Sequence, residues 1–384
     1  MSFDVLIGQD AVVKKFQTAL ARDKLAHTYL IVGPEGVGKR TFAKEAARAL
    51  LCKKGGTDAC NVCTSCRRIP TDKGFRKDSR PKRGRSRKED DNRPDAKHPD
   101  FHWIEPVATG GSTSDEDSSG RNIVLEQALD LQSKMQFKPF ESRYKVAVVA
   151  ECEMLTDEAA NSLLKFLEEP PPATIMFLTT SRPDSVLGTI VSRCQFIRMT
   201  ALETRDVAAI LKTRCGIDEA RAERLAEASD GSVSRALWIG SEQGRNLRLL
   251  ALDIIRQGPG LDEEEAATQV ARRCTEMGSA EGVTGKKRLR EYVRRKAKDV
   301  LAFVASFFTD ICRFHTTGKV TEAAEEDWKE AIGKWAGEFN CDEALQAVRF
   351  ALEAAAYIDQ NVDVELVLGD FFRRSLKRRS RLPA

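Results

Sequence analysis

Apolar residues occur in short, strand-length runs over the first 200 residues, with helix-spaced stretches between the earlier runs. The runs lie at residues 29–32, 146–149, 175–178 and 196–199, and their length and composition are typical of buried strands. One intervening helix has an apolar stripe, acidic residues at its start and prolines directly after its end. The stripe consists of Ala160, Leu163, Leu164 and Leu167. Strands that alternate with helices predict an α/β fold with a parallel sheet.

Strand patterns end near residue 200, and the remaining positions have helical spacing. We expect three domains: an α/β domain over residues 1–200, a small helical domain over 201–242 and an all-α C-terminal domain over 243–384. A long helix in the third domain is indicated by apolar residues at helical spacing. These residues are Val293, Ala297, Val300, Leu301, Val304, Phe308 and Ile311.

Two segments of the first domain lack the apolar residues that a packed structure needs. Residues 70–97 are rich in Arg, Lys, Asp, Pro and Ser, and we predict a disordered basic insertion there. Residues 109–120 are rich in Gly, Ser and Asp, which predicts a flexible loop.

Charge and apolar content narrow the class of protein only slightly. The net charge of +4 results from 62 basic and 58 acidic residues, so the total does not indicate nucleic-acid binding. The sequence has no apolar run of membrane-spanning length, and its first residues lack signal-peptide features, so we expect a cytoplasmic protein with no membrane partner. Its ten cysteines would then stay reduced, and a close cluster of them indicates metal ligands.

A glycine-rich turn lies between the first predicted strand and a helix-spaced stretch, which is the setting of a phosphate-binding loop. Backbone N–H groups of such a loop surround phosphates, and its lysine, here Lys39, reaches the terminal ones. Arg40 replaces the hydroxyl residue that would hold magnesium, and Thr41 comes one position late, so we do not expect Mg²⁺ here. The candidate cofactor-binding residues of this degenerate loop are Gly33, Gly36, Gly38, Lys39, Arg40 and Thr41.

The second predicted strand leads to the position at which such ATPases carry an aspartate for magnesium and then a glutamate that polarises water. The aspartate position is Ala150, which cannot bind a cation, and Glu151 follows it. Glu151 is therefore either part of a nucleotide site or an ordinary solvated residue at a strand end.

Four cysteines with the spacing C-x7-C-x2-C-x2-C follow the helix after the glycine-rich turn. Four thiolates at this density are typical of a closed tetrahedral zinc site, which stabilises a segment too short to have its own core. We predict a structural Zn²⁺ module over residues 52–66, with Cys52, Cys60, Cys63 and Cys66 as the ligands.

The order of these features resembles that in AAA+ clamp-loader subunits of bacterial DNA polymerase III, and the resemblance covers the first 240 residues. Further motifs that carry it are Gly8-Gln9, His98-Pro99-Asp100-Phe101, the stretch from Leu164 to Pro171, and Ser192-Arg193-Cys194. The resemblance implies a RecA-like AAA+ P-loop domain with a small helical lid, followed by a helical collar through which the subunits assemble. Residues 361–372 resemble the last collar helix of that family, whereas residues 70–97 have no counterpart in it.

In this family the Ser-Arg-Cys motif marks an arginine finger, which one subunit projects into the ATP site of its neighbour. The resemblance assigns this catalytic role to Arg193, flanked by Ser192 and Cys194. A guanidinium at that position neutralises charge on the transferring phosphoryl group, which raises the rate by about 10³–10⁵. Without the flanking motifs, an arginine paired with a local carboxylate would be the preferred interpretation.

Three departures on the nucleotide side make the chain similar to the delta-prime type of subunit rather than to the gamma/tau motor. Two are Arg40 and Ala150, and the third lies in the lid, where Ser234 occupies the position of the motor's sensor arginine. Arg235 follows it and would point about 100° away on a helix. The resemblance thus implies a component of the DNA-directed DNA polymerase with negligible ATPase activity of its own. The implied partners are gamma/tau motor subunits and a delta subunit, with the sliding clamp and primer-template DNA bound by the assembly.

The residues leave two other functions open. One is an active gamma/tau-like motor, in which Thr41 replaces the missing hydroxyl and Glu151 suffices to activate water. The other is a zinc-containing DNA-binding accessory protein that uses the cysteine cluster and the basic runs at 73–97 and 377–381, and its DNA binding would fall steeply with salt. It also stays open whether the loop holds ATP, ADP, a lone anion or no ligand.

Overall fold

A computed structural model describes residues 2–69, 98–108, 121–257, 262–283, 285–318 and 326–376. The predicted basic insertion at 70–97 and the predicted flexible loop at 109–120 lie outside these residues. The chain divides into two compact units, Met1–Ala236 and Leu237–Ala384.

The first unit is built on a five-stranded parallel sheet. The strands are β1 (Thr28–Val32), β2 (Phe101–Ile104), β3 (Val107–Ala108), β4 (Arg121–Asn122), β5 (Lys145–Val149), β6 (Thr174–Thr180) and β7 (Gln195–Arg198). The order in the sheet is β2-β5-β6-β1-β7, with every neighbouring pair parallel, while β3 and β4 form a separate antiparallel pair. The predicted α/β fold with a parallel sheet is confirmed.

The helices of this part of the chain are α1 (Asp10–Ala21), α2 (Lys39–Leu50), α3 (Thr64–Arg68), α4 (Leu125–Met135), α5 (Asp157–Glu168), α6 (Gly188–Val191), α7 (Thr204–Cys215), α8 (Glu219–Glu227) and α9 (Val233–Ile239). Five of them, α1, α2, α4, α5 and α6, cover the two faces of this sheet, on which the side chains of each strand alternate; α9 begins in the first unit and ends past its limit at Ala236. On one face Phe16 of α1 and Phe42 of α2 pack against Tyr29 and Phe177. On the other face, α4, α5 and α6 pack against the opposite side chains of β5 and β6.

Local sequence accounts for the limits of α5. The Thr156 hydroxyl accepts a hydrogen bond from the Ala159 N–H at 3.3 Å, which caps the helix, and two acidic residues occupy its first turn. Ala160, Leu163 and Leu167 of the predicted stripe are buried. The helix ends at Glu168, two residues before the run of prolines begins.

Two strand predictions were incomplete or wrong. Strand β2 was not predicted, because its four residues include His102 and form too short an apolar run. The run at 196–199 was predicted as a buried strand, but β7 pairs only with β1 at the edge of the sheet, and Phe196 is 37% exposed. An edge strand lacks a second neighbour to cover it, so apolar composition alone did not show its exposure.

The described part of the second unit consists of helices around one long central helix. These helices are α10 (Glu242–Gln257), α11 (Glu263–Ala280), α12 (Lys286–Thr317), α13 (Glu326–Ala336), α14 (Cys341–Asp359) and α15 (Val364–Ser375). Helix α12 packs against α10, α11, α13 and α14. All seven apolar residues of the predicted stripe on α12 are buried, and Phe307 and Phe308 pack edge-to-face on Trp335 of α13.

Candidate functional site

The carboxyl ends of β5, β6 and β1 lie side by side, since these strands are neighbours in a parallel sheet. Ligands of open α/β sheets bind at this edge, in the loops that follow the strands. The loop after β1 is the glycine-rich turn, Glu151 follows β5 closely, and Ser181 follows β6. The topology therefore brings the predicted phosphate loop and Glu151 to one site.

Glycine is required at several positions of the phosphate loop. Gly36 and Gly38 have φ angles of 78° and 101°, which side chains rarely adopt, and Gly38 directly precedes α2. A Cβ atom at Gly33 would lie 2.4 Å from the Met199 carbonyl oxygen. The loop thus has the tight backbone and the helix amino terminus of an anion-binding site, with Thr41 in the first turn of the helix.

The lysine of this loop is bonded within the loop. The Lys39 ammonium donates hydrogen bonds of 2.6 Å to the carbonyl oxygens of Gly33 and Pro34. Burial lowers the pKa of Lys39, while the carboxylates of Glu153, Glu35 and Glu151 act in the opposite direction. These two bonds use two of the three ammonium hydrogens, so a phosphate ligand could contact the third or compete for the other two.

Arg40 brings a guanidinium to the place where the sequence pattern of ATPases would put magnesium ligands. It pairs with Glu105, which follows β2, and with Glu151 at 3.2 Å, and it lies 5.3 Å from the centre of the Trp103 ring. Glu151 itself has a left-handed φ of 56°, and its N–H donates to the Thr179 hydroxyl at 3.1 Å. One side-chain cation is therefore shared between two carboxylates at this edge of the sheet and compensates part of their negative charge.

The start of α9 packs onto the tip of the phosphate loop. The Val233 N–H donates to the Gly36 carbonyl oxygen at 3.2 Å, and a Cβ atom at Gly36 would lie 2.2 Å from the Ser232 hydroxyl oxygen. Ser234 contributes a backbone nitrogen at 2.8 Å from the same point. Arg235 forms an ion pair with Asp230 at 2.8 Å.

The four clustered cysteines form a site that can hold a metal ion. The sulfur atoms of Cys52, Cys60, Cys63 and Cys66 all lie within 4.8 Å of one another. Backbone N–H groups point at three of them, at 3.3–3.5 Å, as expected around thiolates. The hydrogen bonds from the backbone at residues 62 and 63 lower the pKa of Cys60 to about 6. Burial raises the pKa of Cys66, so its thiol would lose its proton on binding a metal. Four cysteine sulfur atoms in this arrangement fit a tetrahedral ion.

The cysteine module, residues 52–69, is joined to a loop that the sequence did not single out. Glu141 accepts hydrogen bonds from Lys53 at 3.1 Å and from Arg68 at 2.9 Å, and both of these residues belong to the module. The hydrogen bond from Lys53 contributes most to holding the pKa of Glu141 below its usual range. In the same loop, Phe137 and Phe140 are 73% and 83% exposed.

Asp100 fixes this loop from the opposite side. Its fully buried carboxylate accepts hydrogen bonds from the N–H groups of Phe140, Glu141 and Ser142 at 2.6, 3.0 and 3.0 Å. Buried His98 lies 3.4 Å from the Ser142 hydroxyl. The His-Pro-Asp-Phe motif therefore anchors the loop, a role that the sequence pattern did not indicate.

Arg193 lies after α6 and away from the phosphate loop. Its guanidinium donates to Glu168 at 2.7 Å, to the Thr189 carbonyl oxygen at 2.9 Å and to the Ser192 hydroxyl at 3.3 Å. The neighbouring Cys194 thiol donates to the Ile190 carbonyl oxygen, and burial raises its pKa to about 12. The Arg193 side chain remains 35% exposed.

Comparisons with known proteins decide the family. The family described as DNA polymerase III, delta subunit, matches residues 8–79 and 85–203. The tau subunit of DNA polymerase III from Bacillus subtilis is 32% identical over 243 residues, which are 61% of this chain and 36% of that protein. The delta' subunit from the same organism is 30% identical over 199 residues, 52% of this chain and 50% of that protein.

The chain belongs to the clamp-loader family of DNA polymerase III. It spans half or less of the length of these two curated relatives. A solved DNA polymerase III gamma subunit-related protein from Thermotoga maritima is 16% identical, covers 96% of this clamp-loader chain and 98% of its own, and has a TM-score of 0.37. Among the described helices of this family member, none is both long enough and apolar enough to cross a membrane.

Proposed function

We propose that this clamp-loader chain acts as a delta-prime-like subunit and donates Arg193 in trans to the ATP site of a neighbouring subunit. The observation that carries the proposal is the contrast between its two cationic sites. Both arginines form ion pairs within the chain and remain partly exposed. Arg193, however, lies in an intact Ser-Arg-Cys motif, whereas Arg40 lies in the nucleotide loop at the position where a magnesium ligand would be expected. The chain would thus contribute a catalytic group to another site without using its own.

The proposal includes negligible ATP hydrolysis at its own loop. Ala150 offers no ligand to a cation, and Arg40 already neutralises Glu151, which would otherwise be available to polarise water. Two of the three ammonium hydrogens of Lys39 are bonded to its own loop, and α9 contacts Gly36, so a nucleotide would compete with contacts within the chain. ATP or ADP would at most be a passive ligand, held without Mg²⁺.

In the proposed assembly, gamma/tau motor subunits and a delta subunit are the partners. The relatives are named as tau and delta' subunits of DNA polymerase III, which supports this set of partners. The complex would load the sliding clamp on primer-template DNA during chromosomal replication in the cytoplasm. Zn²⁺ held by the four cysteines would be structural, since all four positions of a tetrahedral ion would be filled by protein.

ATP hydrolysis by the reconstituted loader tests the finger. We would measure turnover stimulated by clamp and primed DNA with wild type, Arg193→Ala and Lys39→Ala chains, and turnover of the isolated chain. We expect Arg193→Ala to lower the turnover of the loader and Lys39→Ala to leave it unchanged. The isolated chain should hydrolyse no ATP. Hydrolysis by the isolated chain that Lys39→Ala abolishes would instead identify an active motor.

A further inference from the structure

The guanidinium of Arg193 is held between two separate elements of the first unit. Glu168, the last residue of α5, accepts from one terminal nitrogen at 2.7 Å. The other terminal nitrogen donates to the carbonyl oxygen of Thr189 in α6 and to the Ser192 hydroxyl. The group is therefore oriented at the surface rather than free to rotate.

Both elements that hold Arg193 are fixed by the core. Phe166 and Leu167, just before Glu168, are buried, and so is Ile190 next to Thr189. These buried neighbours hold the backbone of both elements, and with it the Thr189 carbonyl oxygen, in place, whereas the half-exposed Glu168 side chain can still change its rotamer. The contacts thus favour one location for the guanidinium relative to the sheet.

These contacts leave two N–H groups of Arg193 available to bind a further anion. A guanidinium has five N–H groups. The Thr189 and Ser192 contacts use both hydrogens of Nη1, and the Glu168 contact uses one hydrogen of Nη2. The second hydrogen next to Glu168 and the Nε hydrogen remain. A phosphoryl oxygen can therefore be contacted while the Glu168 pair persists.

We infer that Glu168 is a positioning residue, which orients Arg193 for the phosphoryl group of the neighbouring ATP. This inference rests on the proposed function, because it needs Arg193 to act in trans. The pair is half exposed, with 35% and 50% of the two side chains accessible, so it biases the orientation without trapping the arginine. An exposed ion pair changes an equilibrium by at most about fivefold, which sets the scale of the effect.

The test uses a loader whose motor subunits have lost their own Ser-Arg-Cys arginines, so that Arg193 supplies the finger. We would measure kcat and KM for ATP with wild type, Glu168→Gln, Glu168→Asp and Arg193→Ala. Glu169→Gln serves as the matched control, since the contacts of Arg193 do not include that adjacent carboxylate. Gel filtration and Tm would verify that each variant folds and assembles.

The expected result is a kcat about two- to fivefold lower for Glu168→Gln at unchanged KM, with partial recovery in Glu168→Asp and wild-type values for the control. Adding Glu168→Gln to Arg193→Ala should cause no further loss, because the carboxylate acts through the arginine. Unchanged or increased kcat in both Glu168 variants, or additive losses in the double variant, would overturn the inference. If Arg193→Ala itself has no effect, the proposed function fails instead.

Discussion

Replacing Asp100 with alanine should destabilise the first unit more than an ordinary surface substitution. The carboxylate is fully buried and accepts three backbone N–H groups, from residues 140, 141 and 142. Hydrogen bonds to a charged group contribute about 1.5–3 kcal/mol each, and their effects are not fully additive. The variant also leaves three donors without this acceptor. We therefore expect a loss of about 3–5 kcal/mol in the free energy of unfolding of the first unit.

Hydrogen exchange of the full-length chain can measure this loss in the two units separately. Amides of β5 report the opening of the first unit, and amides of α12 in the second unit provide an internal reference. Asp100→Ala should lower the β5 exchange free energy by about 3–5 kcal/mol and leave α12 unchanged. Asp100→Asn should lose less, since its amide oxygen still accepts.

The matched control is Asp130→Ala, which removes an exposed carboxylate of α4 paired with Lys134 at 2.6 Å. Such a helix pair contributes about 0.5 kcal/mol or less. If Asp100→Ala changed the exchange free energy by less than about 1 kcal/mol, with residues 140–142 still protected, the anchoring argument would be wrong.

Three further predictions concern the cysteine module, its ion pairs and Arg40. Glu141→Gln should lower the free energy of unfolding by about 1 kcal/mol at neutral pH. Because the pKa of Glu141 is lowered from 4.5 in the folded state, its contribution is present above pH 4.5 and is lost as the pH falls through the folded-state pKa. Urea titrations of both chains over this pH range measure the difference. Metal analysis should find one zinc ion per wild-type chain and none in Cys60→Ser, which should also be cleaved faster within residues 52–69. A wild-type chain that is as stable without metal as with it would contradict the zinc site. EDTA should not change any nucleotide binding by the isolated wild type, because Arg40 takes the place of a magnesium ligand. The double variant Arg40→Thr/Ala150→Asp should acquire Mg²⁺-dependent nucleotide binding. Magnesium-dependent binding by the wild type would contradict this role of Arg40.

Sequence patterns predicted the features that depend on local spacing. The individual strands β1, β5, β6 and β7, the strand-to-helix turn at the phosphate loop, the buried stripe of α12 and the grouping of four cysteines each involve residues close in the chain or at a regular period. In those cases the physical cause lies within one element or one short segment.

Contacts between distant residues were not predictable in the same way. Arg40 was recognised as a departure from the magnesium pattern, but its partner Glu105 lies 65 residues away and is brought near by β2, a strand too short to be predicted. The pairing of Arg193 with Glu168 likewise depends on where α5 and α6 meet. Which carboxylate faces which cation is decided by tertiary packing, and a single sequence does not contain that information explicitly.

The Arg40 guanidinium lies where ATPases with such a phosphate loop would bind a magnesium ion, and this affects how the loop depends on the concentration of metal ions. The guanidinium of Arg40 beside Glu105 and Glu151 is covalently part of the chain, so chelators cannot remove it and dilution cannot deplete it. A pocket filled by magnesium and nucleotide changes its charge whenever their concentrations change. The positive charge of Arg40, in contrast, is part of the chain and does not vary with either concentration. In the proposed assembly, the charge that Arg40 supplies to this loop would therefore stay the same when the concentrations of ATP and magnesium change.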